Sequence, residues 1–166
     1  MTKVNISNQK MTGLYSVLKS LSQSTLPMKF TIARNLKAIE PLFEAYTEAK
    51  DVIHKKYVLV DEKGDNAIKQ QYQSLLDKAP VVPYNWFEYE SEEGEKKFFD
   101  ELQELNDVCV DINLQQEDLK RKVKVKLVGE KSESYETLTL EEVLEDPSTQ
   151  INGDALSVLL EYEILK

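Results

Sequence analysis

Few residues in this chain carry a reactive group, since Cys109 and His54 occur once each. A single cysteine forms no disulfide within one chain, and one Cys with one His cannot supply the ligands of a structural zinc site. A Ser-His-Asp or Cys-His nucleophile would have to rest on His54, and no serine or cysteine stands at a spacing that pairs with it. The glycine-rich phosphate loops and the Cys-x-x-Cys pattern are absent from the sequence. Carboxylates are the only catalytic groups present in quantity. Asp61, Glu62 and Asp65 lack the spacing of an EF-hand loop, where alternate oxygen ligands precede a glycine and a bidentate Glu follows, so they read as a solvated turn. The expectation is no catalytic residue, no metal site and no cofactor, with a carboxylate-dependent metal enzyme ranked last. His54, between Ile53 and Lys55, is expected as a surface or boundary residue on the long helix, and Cys109, between Val108 and Val110, as a buried or half-buried inert thiol.

Residues suited to binding are more numerous. The Pro80–Phe87 run holds the only Trp, and Tyr84, Trp86, Phe87 and Tyr89 would either anchor a partner or close a core. Glu88, Glu90, Glu92, Glu93 and Glu95 follow as an acidic run. With the aromatics, Glu90, Glu92 and Glu93 complete a candidate interface, and as an alternative the run would imitate nucleic-acid phosphate for a basic host protein. Lys122, Lys124 and Lys126 alternate with apolar residues and would line one face of a strand. There they would touch phosphates or an acidic partner, or protect an exposed edge, the use that the acidic total favours. No nucleic-acid-binding motif accompanies them, which argues against a nucleic-acid partner.

The 166 residues carry 21 Lys/Arg and 30 Asp/Glu, a formal charge of −9. That charge is polarised, with +5 in residues 1–60, −11 in 61–118 and −3 in 119–166. Opposite blocks of this kind attract one another or present opposite faces to partners. No apolar run approaches the roughly 20 residues of a membrane span, and the first residues lack the apolar core of a signal peptide. The expected setting is a reducing cytoplasm without a membrane partner.

These residues must be positioned by two kinds of element. Met11, Leu14, Val17, Leu18 and Leu21 recur at helical spacing, predicting a helix over residues 8–22 capped by Ser7 or Asn8. Ile32, Leu36, Ile39, Phe43, Tyr46, Ile53 and Tyr57 form a coiled-coil-like seam, with a kink or short break expected near Pro41. The turn Asp61–Asn66 and the stripe Ile68, Tyr72, Leu75 and Leu76 would fold back as a helical hairpin. Phe98, Phe99, Leu102 and Leu105 predict a further helix. From Val108 the period becomes two, giving strands near 108–113 and 122–127 and a weaker one over Tyr135–Leu140, joined through Gly129–Ser132 as a hairpin. Ala155–Glu163, capped by Asn152 or Asp154, closes the chain as a helix. The predicted fold is α+β. Residues 1–79 form a helical hairpin region with a long kinked amphipathic helix, 80–94 a Pro/aromatic/acidic hinge, and 95–166 a small antiparallel sheet with flanking helices.

One likeness concerns residues 8–66 and 150–165. The segment Thr25-Leu26-Pro27-Met28-Lys29-Phe30-Thr31-Ile32-Ala33-Arg34-Asn35-Leu36, the long helix through Tyr57, the turn Asp61–Asp65 and the tail Ile151–Leu156 resemble the small acidic accessory proteins of tailed bacteriophages and prophages. The lysine-lined stretch 119–140 departs from that pattern. The resemblance carries over no site residues. It implies a non-enzymatic protein-binding module, either a minor virion or assembly component or an inhibitor of a host process. Its partner would be another copy, a phage protein or a host protein, and its place the bacterial host cytoplasm or the virion.

Overall fold

A computed structural model of the chain describes residues 2–22, 29–115, 120–123, 126–127, 130–131, 134–137 and 153–164. The chain opens with a strand that the sequence pattern does not announce, β1 (Thr2–Ser7). It pairs antiparallel with β2 (Cys109–Leu114), in a register running from Thr2 opposite Leu114 to Ser7 opposite Cys109. Ile6, Ile112 and Leu114 point inward, while Cys109, Asp111 and Asn113 form the wet face expected of an antiparallel pair. Cys109 is therefore exposed rather than buried, because the alternation that buries Ile112 turns residue 109 outward.

Ser7 ends the strand and starts α1 (Asn8–Ser22), its Oγ accepting from the Lys10 N–H at 3.3 Å. Met11, Leu14, Leu18 and Leu21 make the buried stripe, and the Tyr15 ring stacks on Phe43 at 4.1 Å. Phe43 belongs to α2 (Lys29–Tyr57), which runs through Pro41 without the break expected there. The donor missing at Pro41 would have served the Lys37 carbonyl, and Lys37 is exposed to water. Asn35, on the buried face of α2, is fully enclosed. Its Nδ2 donates to the Gln115 carbonyl at 3.1 Å and its Oδ1 accepts from the Gln115 N–H at 2.6 Å, so one side chain replaces a strand's two hydrogen bonds just beyond β2.

After α2 the chain turns at Asp61–Asp65 and enters a 3-10 helix, Gln70–Lys78, with no buried residue. The returning arm of the expected hairpin is thus 3-10 rather than α-helical. A second 3-10 turn, Tyr84–Trp86, leads to α3 (Glu92–Asp107). Ser91 caps α3 through its Oγ, which accepts from the Gly94 N–H at 3.0 Å. The acidic residues Glu92, Glu93 and Glu95 occupy the first turn, where the helix dipole favours negative charge.

The later strands are β3 (Lys120–Val123), β4 (Lys126–Leu127), β5 (Glu130–Lys131) and β6 (Ser134–Thr137). β3 pairs antiparallel with β6 and β4 with β5, both ladders in one register, as the predicted hairpin requires. The last helix, α4 (Gly153–Glu161), buries Ala155 and Leu159. It ends with Glu163 in the left-handed region at φ 52°, and Ile164 N–H donates back to the Leu159 carbonyl at 2.9 Å, a Schellman closure. Lys124, Leu138–Leu140 and Asn152 lie outside the described residues.

The fold is α+β, and the chain divides into two compact units. Unit 1 is Met1–Phe43 with Cys109–Lys166, and unit 2 is Glu44–Val108. The divisions therefore fall inside α2 and after α3, where the sequence pattern suggested residues 79 and 94. In unit 2, Val58, Phe87, Phe98 and Leu102 form a buried cluster against which Ile53, Tyr57, Ile68, Val82, Tyr84 and Tyr89 pack.

Burial raises the phenols of Tyr46, Tyr89 and Tyr162 above the ordinary 10.0, with the charge of Glu95 adding to the effect at Tyr89. A raised native value means that the folded chain holds these protons more tightly than the unfolded one, so their contribution is complete below the ordinary value and disappears as pH rises past it. The urea midpoint, followed by far-UV circular dichroism, is expected to fall above about pH 10, and a constant midpoint through that range would refute this. In the acid direction, hydrogen bonds from Lys56 and then Tyr57 lower Glu101, and those from Asn5 and then Lys3 lower Asp111. Both carboxylates are largely solvated, so acid loss from them is small.

Candidate functional site

Three short extended segments of unit 2 meet where α2 ends. Val58 bridges Tyr89, Val60 bridges Asn66 and Ile68 bridges Phe87, all antiparallel. Their centre is a closed ring of backbone hydrogen bonds. Leu59 N–H donates to the Glu88 carbonyl at 2.9 Å, Glu88 N–H to Ala67 at 2.8 Å, and Ala67 N–H to Leu59 at 2.8 Å. Each segment pairs with both others, so these backbone groups are satisfied within the junction. One side is held by the core cluster and the other by Lys69, which bridges both Glu95 oxygens at 3.1 and 3.2 Å and lies 5.9 Å from the Tyr89 ring centroid.

The turn leaving this junction is fixed by its own side chain. Asp61 Oδ1 accepts from the N–H groups of Lys63 (2.8 Å) and Asp65 (3.0 Å), and Gly64 takes φ 84°, a conformation suited to glycine. The Asp61 carboxylate is thereby engaged in holding the loop.

Between this turn, the junction and the first 3-10 helix lies a groove of about 560 Å³. Val60, Ala67, Ile68 and Leu76 supply its apolar surface, and Asp61, Glu62, Asp65 and Glu88 its acidic one. No Lys or Arg lines it. Val60 is 66% exposed, so the groove keeps apolar area in contact with water. Unit 2 holds eight Lys/Arg and sixteen Asp/Glu, a net of −8 that accounts for nearly all of the chain's −9. Apolar surface edged by unneutralised carboxylates suits a side chain with an aliphatic stem and a cationic head, as in lysine and arginine.

Comparison with known protein families, with curated proteins and with solved structures returns no match. What the site can do therefore follows from its own geometry.

The residues singled out from sequence are distributed unevenly. Phe87 is buried in the core cluster, and Tyr84 and Tyr89 are half-buried against it, the Tyr89 hydroxyl donating to the Tyr84 carbonyl at 2.7 Å. Trp86, also half-buried, stacks on Tyr72 with centroids 5.1 Å apart. Glu90, Glu92 and Glu93 are exposed. Lys122 and Lys126 take register positions in β3 and β4, opposite Tyr135 and Lys131. His54 is half-buried among the rings of Tyr84, Phe87 and Phe98, and its Nε2 is enclosed without a hydrogen-bond partner. Among the described residues no three His, Cys, Asp or Glu side chains are placed to hold a metal ion, and no helix is long and apolar enough to cross a membrane. Glu88 as part of the groove was not legible in the sequence, because only the bridges among the three segments bring it beside Glu62 and Asp65.

Proposed function

We propose that this protein is a non-enzymatic protein-binding module whose partner presents a basic, partly apolar segment to the groove of unit 2. The observation that carries this is the coincidence of exposed apolar surface with carboxylates that no groove-lining cation neutralises. The unit's charge of −8 would add long-range steering toward a basic partner. The resemblance to phage accessory proteins agrees with such a role, in the bacterial host cytoplasm or the virion. Imitation of nucleic-acid phosphate by Glu90, Glu92 and Glu93 is the less favoured use, since the first turn of α3 itself accounts for the charge of Glu92 and Glu93.

The test is fluorescence anisotropy with a labelled peptide of alternating lysine and valine, against a lysine-serine peptide of equal charge. The first is expected to bind saturably and the second more weakly. Glu62→Gln with Glu88→Gln should weaken binding about three- to tenfold, as loss of two exposed ion pairs predicts. Glu92→Gln with Glu93→Gln removes the same charge elsewhere and should change it less than about twofold. Equal losses in the two variants, or no preference for valine, would sink the proposal.

A further inference from the structure

We infer that the partner of the groove enters it as an added β-strand, an extended segment whose lysines alternate with apolar residues and whose backbone pairs with the outer edge of Asn66–Ile68. This rests on the groove being the binding site proposed above, and it adds the conformation of what the groove receives. In an extended segment the N–H and C=O of one residue point to one edge and those of the next residue to the other. Asp65, Ala67 and Lys69 direct theirs into the junction. The Asp65 carbonyl accepts from the Asp61 N–H at 2.7 Å, Ala67 N–H donates to the Leu59 carbonyl and its own carbonyl accepts from the Glu88 N–H, both at 2.8 Å, and Lys69 N–H donates to the Trp86 carbonyl at 2.8 Å. Asn66 and Ile68 therefore present their backbone groups to the opposite edge. Among the described residues neither N–H has a hydrogen-bond partner, nor has the Asn66 carbonyl, and the Ile68 carbonyl accepts only from Gln73 Nε2, at 3.4 Å. That carbonyl keeps a second lone pair.

Both residues line the groove, so the open edge and the carboxylates belong to one concave surface. The edge lacks the usual protection, because Asn66-Ala67-Ile68 contains no lysine and no proline, and the 3-10 helix brings only the side chains of Gln73 and Leu76 to the groove. An added strand would exchange hydrogen bonds with Asn66 and Ile68 while its side chains alternate between two faces. A segment in which every second residue is lysine thus sets its cations on one face and its apolar groups on the other. The groove offers a counterpart to each, Glu62, Asp65 and Glu88 for the first and Val60 and Leu76 for the second. A helical segment would bring no backbone donor to the edge, since the N–H groups along a helix are bonded within it.

Amide hydrogen exchange on the full chain, read residue by residue by NMR with the lysine-valine peptide as probe, tests this. In the free protein Asn66 and Ile68 are expected to exchange faster than Ala67, and saturating peptide should slow both at least about fivefold, the weight of one added hydrogen bond. Two further peptides carry N-methyl groups on every lysine nitrogen or on every valine nitrogen of the backbone. One of them should bind at least about tenfold more weakly than the parent, because it loses the donors aimed at the Asn66 and Ile68 carbonyls, and the other should stay within about threefold. Equal affinities of the two methylated peptides overturn the added strand, as does exchange at Asn66 and Ile68 that the bound parent leaves unchanged. If the parent peptide still binds in either case and still depends on Glu62 and Glu88, the groove stands as a site recognised through side chains alone. If the parent does not bind, the proposed function falls and the added strand with it.

Discussion

Asn35→Ala is expected to lower the stability of unit 1 by about 1–3 kcal/mol, because it leaves the N–H and the carbonyl of the half-buried Gln115 without their side-chain partner. The wild-type amide is fully enclosed and meets both the N–H and the carbonyl of Gln115. Each neutral hydrogen bond is worth only about 1 kcal/mol net, but stranding its partner away from water adds the desolvation cost. Alanine opens room at the site but supplies neither donor nor acceptor, and leucine would fill the volume while stranding the same two groups. Asn35→Asp separates shape from chemistry. It keeps an acceptor for the Gln115 N–H but sets a carboxylate oxygen against the Gln115 carbonyl, so it should be worse than alanine at neutral pH. Burial disfavours the charged form, and a protonated carboxyl donates to that carbonyl, so this variant should regain stability as pH falls. Amide exchange in the β1–β2 ladder and urea melts read both effects. A loss below about 1 kcal/mol for alanine, or no acid recovery for aspartate, would show that the clip is not what anchors the end of β2.

The sequence made this anchor hard to see for a physical reason. Asn35 sits within the apolar periodicity of Ile32, Leu36 and Ile39, and its partner is 80 residues away. Periodicity reports which face of α2 is buried, not which backbone group across the unit lacks a partner. Where burial follows from spacing alone, the pattern was legible. Met11, Leu14, Leu18 and Leu21 line α1 as predicted, and Ser7 serves as its cap. β1 was not legible, because Lys3, Asn5 and Ser7 face water and only Val4 and Ile6 mark its other face, too short a pattern without the β2 partner. The segment Gln70–Lys78 is 3-10 rather than the expected α-helix, and Ile68, whose spacing would begin the stripe, bridges Phe87 instead.

The site divides in the same way. The excess of acid between Asp61 and Asp107 was visible as a count, but a count does not separate charge that serves the fold from charge left for a partner. Glu92 and Glu93 lie at a helix N-terminus, Glu95 and Glu101 pair with Lys69 and Lys56, and Asp61 holds its turn. Glu62, Asp65 and Glu88 form no such bond within the described residues, and the groove gathers those three. The aromatic cluster shows the reverse outcome. Tyr84, Phe87 and Tyr89 were even candidates for core or contact, and the cluster in unit 2 engages all three.

Phe98→Ala is expected to destabilise unit 2 by about 3–5 kcal/mol, the range for deleting a buried aromatic ring. Phe98 has no exposed surface and is the hub of the unit's rings, with centroids 5.3 Å from Tyr84, Tyr89 and Phe99, 6.3 Å from His54 and 6.4 Å from Tyr57. Removing it opens a cavity whose walls come from α2, α3 and the junction. Inward collapse is limited, because Tyr89 is tied to the Tyr84 carbonyl and Tyr57 to Glu101, each at 2.7 Å. Unit 2 spans 65 residues, and at about 0.05–0.15 kcal/mol per residue its whole stability is roughly 3–10 kcal/mol. The variant should therefore forfeit at least about a third of that stability. Trp86, the only tryptophan, stacks on Tyr72 inside this unit, so its fluorescence reports the transition directly. Phe98→Leu, which keeps most of the volume but loses the ring contacts, should cost about 1–2 kcal/mol and retain a cooperative Trp86 transition. If alanine moved that transition no more than leucine does, the junction and not the ring cluster would be holding the groove in place.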